Sequence, residues 1–277
     1  MLAYAGWCAI IYFKQDDMIF PRTLAGPGMP QLPARPDFEQ VWITTDDGVM
    51  VEGWFYRAFG ASVAKPAPCI IVLHGNGDLI DTMNDYADFF LTHGLNVLLV
   101  EYRGYARSGG ESTPAGRPRG EPSEQAIVAD TLKFVEWLQK QPVVNPNKLV
   151  YYGRSLGTGV AAQLATRHQP AAVILESPFT SLSAFAAGFG VPPFFVKHPF
   201  RTDHALPPLA AAGLPVLIFH SRDDEIVPFS HGEHLAHLMP AATFVEVTGT
   251  HNGLMLAQPA YEGAIWPFLV RVGAAKP

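Results

Sequence analysis

One pentapeptide of this chain has the residue types and spacing of a serine nucleophile. Ser155 stands at the centre of Gly153–Gly157, a G-x-S-x-G sequence. It follows an apolar, β-branched run over 149–152 and precedes a stretch of small residues over 158–165 that is typical of a helix. A strand, a sharp turn and a helix in this order present a serine hydroxyl at the edge of a sheet. Because the turn strains the serine backbone, both flanking positions must lack bulk, and the two glycines satisfy that need.

The candidate general base is His251. A serine hydroxyl is a poor nucleophile and needs a nearby base, usually a histidine whose second ring nitrogen is oriented by a carboxylate. In chains that carry this pentapeptide between a strand and a helix, the acid follows the serine and the histidine comes last. His251 lies directly after an apolar run over 243–247, between small residues that leave the ring room to turn inward.

Three adjacent acids compete to be the third member of this set. Asp223, Asp224 and Glu225 follow the apolar run 215–220, which predicts a core strand. Loops after parallel strands gather at one edge of the sheet, where the serine is also expected. Asp224 is the favoured candidate because it stands four residues before Pro228, in a D-x-x-V-P pattern. Asp223 is the alternative, and a third interpretation makes all three acids solvated loop charges.

Two backbone amides are candidates to stabilise an oxyanion. An oxyanion hole of this kind uses the backbone N–H of the residue after the nucleophile and a backbone N–H from the loop after an early strand. The first belongs to Leu156, and the second is predicted at Asn76 in the loop His74–Gly77, whose glycines let the backbone curl. The His74 imidazole is expected to brace this loop rather than to take part in the chemistry.

Alternating strands and helices must position these loops. Nearly continuous apolar runs over 69–73, 97–101, 172–175 and 215–220 predict buried parallel strands. Apolar residues at helical spacing over 124–139 predict a long amphipathic helix between them. Right-handed crossovers then give an α/β fold with a mostly parallel, doubly wound sheet of the eight-stranded type, covered by helices on both faces.

We expect the chain to have two parts. Residues 1–25 form an apolar N-terminal segment, and residues 26–277 form the α/β domain with a short cap insertion at about 178–213. This insertion is rich in Phe, Ala and Pro. Some of its phenylalanines are expected in the core and the others in an apolar wall over the site.

The N-terminal segment allows three interpretations. Leu2–Phe13 is almost wholly apolar and ends at Lys14. It is shorter than the roughly 20 residues that cross a bilayer, and it lacks the basic start of a secretory signal. It is an interfacial anchor, the end of a membrane helix that begins upstream, or a docked element of the fold. We favour membrane attachment, because two tyrosines and a tryptophan suit a membrane interface, and Lys14 and Arg22 weakly favour a cytoplasmic catalytic domain.

Composition excludes several other classes of protein. With 48% hydrophobic and 16% charged residues the chain is globular, and a net charge of −6 without a basic stripe predicts no nucleic-acid partner. Cys8 and Cys69 give neither a disulfide framework nor zinc spacing. His231, His234 and His237 lack the H-E-x-x-H pattern and an evident third ligand. We therefore predict no metal and no cofactor.

The chain resembles the α/β-hydrolase superfamily and, more narrowly, the Bem46-like and ABHD13/17-type serine hydrolases. The matching segments, in order, are VLHGNG (72–77), EYRGY (101–105), GRSLG (153–157), ESPFTSL (176–182) and DEIVPFSHG (224–232). The resemblance covers about residues 38–270 and implies the α/β-hydrolase fold, acyl hydrolase activity and, often, an N-terminal membrane segment. Ser221 and Ala106 stand where relatives usually carry glycine, and 112–120 resembles an extra loop. These departures argue against carrying over a relative's substrate.

The residues and the resemblance together predict a serine hydrolase. Its substrate is expected to be a small-molecule or lipid-like apolar acyl compound, cleaved at a carboxylic ester or thioester bond through an acyl-enzyme on Ser155. A serine peptidase or amidase on the same fold is one alternative, since the catalytic residues would be identical. A catalytically silent binding protein with the same fold is the other. The sequence predicts neither the natural acyl group nor the oligomeric state.

Overall fold

One mixed sheet organises the protein. The computed structural model describes residues 2–26, 28, 31–110, 112–113, 116, 118–253, 256 and 258–275. The strands are β1 (Phe38–Thr44), β2 (Met50–Tyr56), β3 (Ala67–Leu73), β4 (Asn96–Val100), β5 (Val144–Arg154), β6 (Ala172–Glu176), β7 (Val216–Ser221) and β8 (Thr243–Val247). They form an eight-stranded sheet in the order β1-β2-β4-β3-β5-β6-β7-β8.

The strand directions confirm the predicted sheet. β2 runs antiparallel to both β1 and β4, whereas every pairing from β4 to β8 is parallel. All residues of β4, β6 and β7 are buried, which explains why their sequences are apolar without alternation. The order jumps from β4 to β3 and then β5, so β3 lies in the middle of the sheet.

Helices cover both faces of the sheet. They are α1 (Leu2–Ile19), α2 (Arg22–Ala25), α3 (Asn84–Thr92), α4 (Glu124–Leu138), α5 (Leu156–Arg167), α6 (Leu182–Gly188), α7 (Thr202–Ala211), α8 (Phe229–Leu238) and α9 (Pro259–Arg271). Buried residues of α4, α5, α7 and α8 share one apolar cluster, and those of α3 and α9 share the other. The amphipathic stripe of α4 therefore faces the core, as its spacing predicts, and its first turn is capped by the Ser123 side chain.

Strand register brings the carboxyl ends of the central strands to one level. Leu73 at the end of β3 pairs with Gly153, and Arg154 pairs with Glu176 at the end of β6. Ser221 at the end of β7 pairs with Val247 at the end of β8. The loops that follow these strands therefore begin side by side, although they are far apart in sequence.

The segment 178–213 divides into two structural parts. Residues 202–211 form α7, which packs against α5 and buries Leu206 and Leu209 in the core under the sheet. Residues 182–199 form α6 and the chain that follows it, and we call these residues the cap. Pro207 and Pro208 lie inside α7 and obscure its helical pattern in the sequence.

The N-terminal segment is a docked helix in this structure. α1 spans 18 residues and lies along the cap, where the Tyr4 hydroxyl donates to the Gly190 carbonyl at 2.8 Å and Gln15 Nε2 donates to the Phe195 carbonyl at 2.9 Å. None of the described helices has the length and apolar character that crossing a membrane requires. These contacts correspond to the third interpretation of the N-terminal segment, an element docked on the rest of the fold.

Candidate active site

Ser155 occupies the sharp turn between β5 and α5. Its backbone has φ +50° and ψ −117°, a region that costs a non-glycine residue about 1–3 kcal/mol. The Ser155 N–H donates to the Glu176 carbonyl at 2.9 Å, which helps to hold the strained turn. A Cβ added at Gly153 would collide with the Gly157 carbonyl, and one at Gly157 with the Leu73 carbonyl. The crowding expected on both sides of the serine is therefore present.

The three predicted side chains form one continuous line. His251 Nε2 lies 2.9 Å from Ser155 Oγ, and His251 Nδ1 lies 2.8 Å from Asp224 Oδ2 and 3.0 Å from Oδ1. The imidazole is 4% exposed, so water has little access to the hydrogen bonds on either side of it. With the proton on Nδ1, Nε2 presents a lone pair to the serine hydroxyl.

Asp224 is held as an anion. Burial alone would raise its pKa, but hydrogen bonds from the His220 and His251 side chains and from the Val227 N–H hold the pKa well below its usual range. The backbone N–H groups of Ile226 and Val227 donate to Oδ1 at 3.0 and 2.7 Å. A carboxylate fixed in this way keeps its charge next to His251 across the physiological pH range.

The other two acids of the loop have different positions. Asp223 is exposed, and its N–H donates to Ser221 Oγ at 3.0 Å. Glu225 Oε2 accepts the backbone N–H of His251 at 3.0 Å, so this side chain anchors the histidine loop. The structure therefore pairs Asp224, rather than Asp223, with the imidazole.

The two predicted oxyanion donors line the same cavity as Ser155. Leu156 is the first residue of α5, and Asn76 follows β3 in the loop His74–Gly77. Across the described residues, neither N–H donates to another protein group. The amide at the start of a helix also carries the positive end of the helix dipole, which favours a negative oxygen.

Two tyrosines of the EYRGY segment (101–105) hold the Asn76 loop in place. The Tyr105 hydroxyl donates to the Asn76 carbonyl at 2.8 Å, and the Tyr102 hydroxyl donates to the His74 carbonyl at 2.9 Å. His74 is fully buried, with Nε2 2.8 Å from Glu101 Oε1. Burial opposes a charge on His74, but the Glu101 carboxylate raises the pKa of this imidazole above its ordinary value. His74 thus braces the loop, and it does not line the cavity.

Arg154 connects two loops beside the serine, a role that the sequence did not reveal. Its Nη1 donates to Asp78 Oδ2 at 2.6 Å, and its Nη2 donates to the His251 carbonyl at 3.0 Å and to Asn252 Oδ1 at 3.1 Å. The same Asp78 oxygen accepts the Gly75 N–H at 3.0 Å. One guanidinium therefore ties the histidine loop to the Asn76 loop. The only sequence signal was an arginine beside the nucleophile.

A largely apolar cavity of about 550 Å³ opens at Ser155. Its walls come from the cap, from α1 and from the loop after β7; the cap side contributes Phe185, Phe189, Val191 and Phe195. Its volume lies within the range of small-molecule sites. Of the described residues that line it, Asp78 is the one acidic side chain, and Arg154 already pairs with it.

Two histidines of α8, His231 and His237, make local structural contacts. The Thr180 N–H donates to His231 Nδ1 at 3.1 Å, and the ring stacks on Phe185 at 5.2 Å between centroids. His237 Nδ1 lies against the Glu233 carbonyl. Within the described residues, no group of three or more His, Cys, Asp or Glu side chains is arranged to hold a metal ion.

Comparison with known proteins defines the class of this protein. The family model described as Serine aminopeptidase, S33 matches residues 64–201. An uncharacterized Mycobacterium tuberculosis protein, Rv2307c, is 34% identical over 91% of this chain and 85% of its own length. Protein bem46 of Schizosaccharomyces pombe is 26% identical over 79% of this chain and 72% of its own length. The structure of Thermogutta terrifontis esterase 2 aligns with a TM-score of 0.66 over 88% of this chain and 98% of that one, at 20% identity, and shares the fold.

Fold and sequence relatives together place the chain in the α/β-hydrolase superfamily, as a Bem46-like protein. This membership confirms the predicted family and fold. The catalytic role of each residue is a separate matter, which depends on the geometry of the site.

Proposed function

We propose that this protein is a serine hydrolase that cleaves ester or thioester bonds of an apolar acyl substrate. One observation carries the proposal: an unbroken line from Ser155 Oγ through His251 to Asp224 begins at a strained serine that faces an apolar cavity. In this mechanism Ser155 attacks the carbonyl carbon while His251 takes the hydroxyl proton. The Leu156 and Asn76 amides stabilise the tetrahedral oxyanion.

Collapse of the tetrahedral intermediate expels the alcohol or thiol, which takes its proton from His251. The acyl group then remains on Ser155 until a water molecule, deprotonated by the same imidazole, attacks the carbonyl and releases the acid. Asp224 stabilises the imidazolium that forms twice in this cycle and keeps the ring in one tautomer. No residue outside the described site is needed for these steps.

A peptidase or amidase on the same machinery is the second candidate, favoured by the description of the matching family model. An aminopeptidase must hold the free ammonium group of its substrate, usually with carboxylates. The single acidic side chain among the described cavity residues, Asp78, is neutralised by Arg154 at 2.6 Å. The apolar walls therefore support an acyl substrate over a free amino terminus. The complete line of Ser155, His251 and Asp224 also argues against a silent binding protein.

A fluorophosphonate probe and a series of substrates test the proposal. We expect the parent protein to be labelled at Ser155 and to hydrolyse p-nitrophenyl esters and an acyl thioester faster than an aminoacyl p-nitroanilide. S155A should lose both labelling and turnover, whereas S230A, which changes an exposed serine of α8, should retain them. A native parent protein that resists the probe would refute the catalytic proposal, and faster turnover of the anilide would favour the peptidase.

Association with a membrane surface through residues 2–13 is also part of the proposal. Its support is the outer face of α1, where Ile10 is 58% and Phe13 75% exposed although both are apolar. The expected cytoplasmic position of the catalytic domain is a prediction of the same kind. Flotation with phospholipid vesicles tests the association, and a protein that stays entirely with the aqueous fraction would contradict it.

A further inference from the structure

α1 contributes one wall of the cavity that opens at Ser155. The α1 residues that line it are Trp7, Ile11, Gln15, Met18 and Ile19. Their spacing places them on a single stripe of the helix, because residues three and four apart share a face. This stripe faces cap side chains such as Phe185 and Phe195 across the cavity. Without α1, that side of the cavity would be open to solvent.

Polar contacts fix α1 along most of its length. Trp7 Nε1 donates to the Phe189 carbonyl at 3.2 Å near the start of the helix. Near its end, the Gln15 amide both donates to the Phe195 carbonyl at 2.9 Å and accepts the Lys197 N–H at 2.8 Å. Gln15 is only 5% exposed, so each of these bonds replaces hydration that the amide has lost. The cap and α1 therefore form one rim with a defined register.

We propose that the inner stripe of α1 is the acyl-binding wall of this cavity and limits the length of acyl chain that the enzyme accepts. This inference rests on the proposed function, because it requires the acyl group to be bound next to Ser155. The wall is made of aliphatic, aromatic and thioether side chains, and the one amide on it, Gln15, is occupied by cap backbone. Such a surface binds methylene groups and offers nothing to a polar or charged chain.

Ile11 is the residue through which the wall can be changed most cleanly. It lines the cavity and is half-buried, whereas the neighbouring Ile10 is 58% exposed on the outer face. The two residues have the same side chain and lie next to each other on the same helix. They differ in the direction they face, since Ile11 points to the cavity and Ile10 to the outer face. Each methylene transferred from water into an apolar site favours binding about fourfold, at roughly 0.8 kcal/mol. Blocking space for two methylenes should then cost at least tenfold on long chains.

The test compares I11W, I11A and the control I10W with the parent protein. For each, kcat/KM is measured on p-nitrophenyl esters from acetate to laurate, and the melting temperature is recorded. We expect the loss of kcat/KM in I11W to be at least tenfold larger on the longest esters than on acetate. I11A should move the optimum to longer chains, and I10W should reproduce the parent profile.

Each result bears on the inference or on the proposed function. Parent-like chain-length profiles for both Ile11 variants, with acetate hydrolysis intact, would overturn the inference alone, as would equal changes in I10W and I11W. If the parent protein hydrolyses no ester, the proposed function fails and the inference falls with it. If I11W melts far below the parent, the chain-length profile of I11A tests the inference instead, because a smaller side chain leaves the contacts of Trp7 and Gln15 with the cap in place.

Discussion

Glu176 should make the stability of this protein fall as pH rises. Its side chain is completely buried behind the serine turn, where the Tyr86 hydroxyl donates to Oε1 at 2.9 Å and the Tyr152 hydroxyl contacts Oε2. Burial raises the pKa of this carboxyl to about 8; the hydrogen bond from Tyr86 lowers it and the Asp78 charge raises it further. Glu176 is therefore largely protonated at neutral pH in the folded protein, and its contact with Arg154 Nε at 3.4 Å is not a full ion pair.

The sign and size of the effect follow from this pKa. In the unfolded chain the carboxyl titrates near 4.5, so between pH 4.5 and about 8 the folded state holds a proton that the unfolded state has released. Raising the pH through this window destabilises the fold, by up to about 1.4 kcal/mol per pH unit. From pH 5 to pH 8 the loss comes to about 3.5 kcal/mol. Below pH 4.5 both states are protonated and the slope vanishes.

E176Q tests this reasoning, because an amide of the same shape carries no titrating proton. Free energies of unfolding would be measured by urea denaturation at several pH values from 5 to 8, for the parent, E176Q and E136Q. The free energy of unfolding of E176Q minus that of the parent should increase by about 3.5 kcal/mol when the pH is raised from 5 to 8. The control changes an exposed carboxylate of α4, and its difference from the parent should stay within about 0.5 kcal/mol. A difference between E176Q and the parent that does not vary with pH would refute the argument.

Two further predictions concern the groups that orient the imidazole. D224N should lower kcat for a short ester by about 10³–10⁴-fold with little change in KM, because an amide stabilises the wrong tautomer of His251; a loss below tenfold would contradict the assigned role. R154K keeps the charge but not the planar fork that reaches Asp78 and the His251 carbonyl together. We expect its kcat/KM to fall about tenfold or more, and equal kcat/KM values would show that Arg154 does not position the site.

The arrangement of the candidate site was predictable because parallel strands fix where loops begin. Once β7 and β8 are recognised as neighbouring apolar runs, their carboxyl ends must lie side by side, and Asp224 and His251 follow them by only a few residues. The choice between Asp223 and Asp224 depended on a local pattern, and the structure agrees with it because Asp224 receives two backbone N–H bonds. Local sequence and sheet geometry pointed to the same residues.

The role of Arg154 could not be predicted in this way. Its partners Asp78 and Asn252 lie in loops that are 76 and 98 residues away, and an arginine side chain can reach in many directions. Ala106 is a more local example: its backbone has a φ of +36°, a conformation that favours glycine, but an alanine in the sequence gives no sign of that strain. Long side chains and strained turns are set by tertiary packing, which a single sequence does not display.

α1 was hard to interpret because its residues 2–13 are apolar on every side. A helix of this kind is expected to be buried all round or to lie in a membrane, and its sequence shows no stripe that would identify an inner face. The protein buries only one side of it: Ile11 lines the cavity while Ile10 and Phe13 remain exposed. The two faces are separated by one helix diameter, about 10 Å. An amphiphile held at the outer face would therefore lie next to the cavity that leads to Ser155, so the apolar substrate and the membrane association proposed here depend on the same helix.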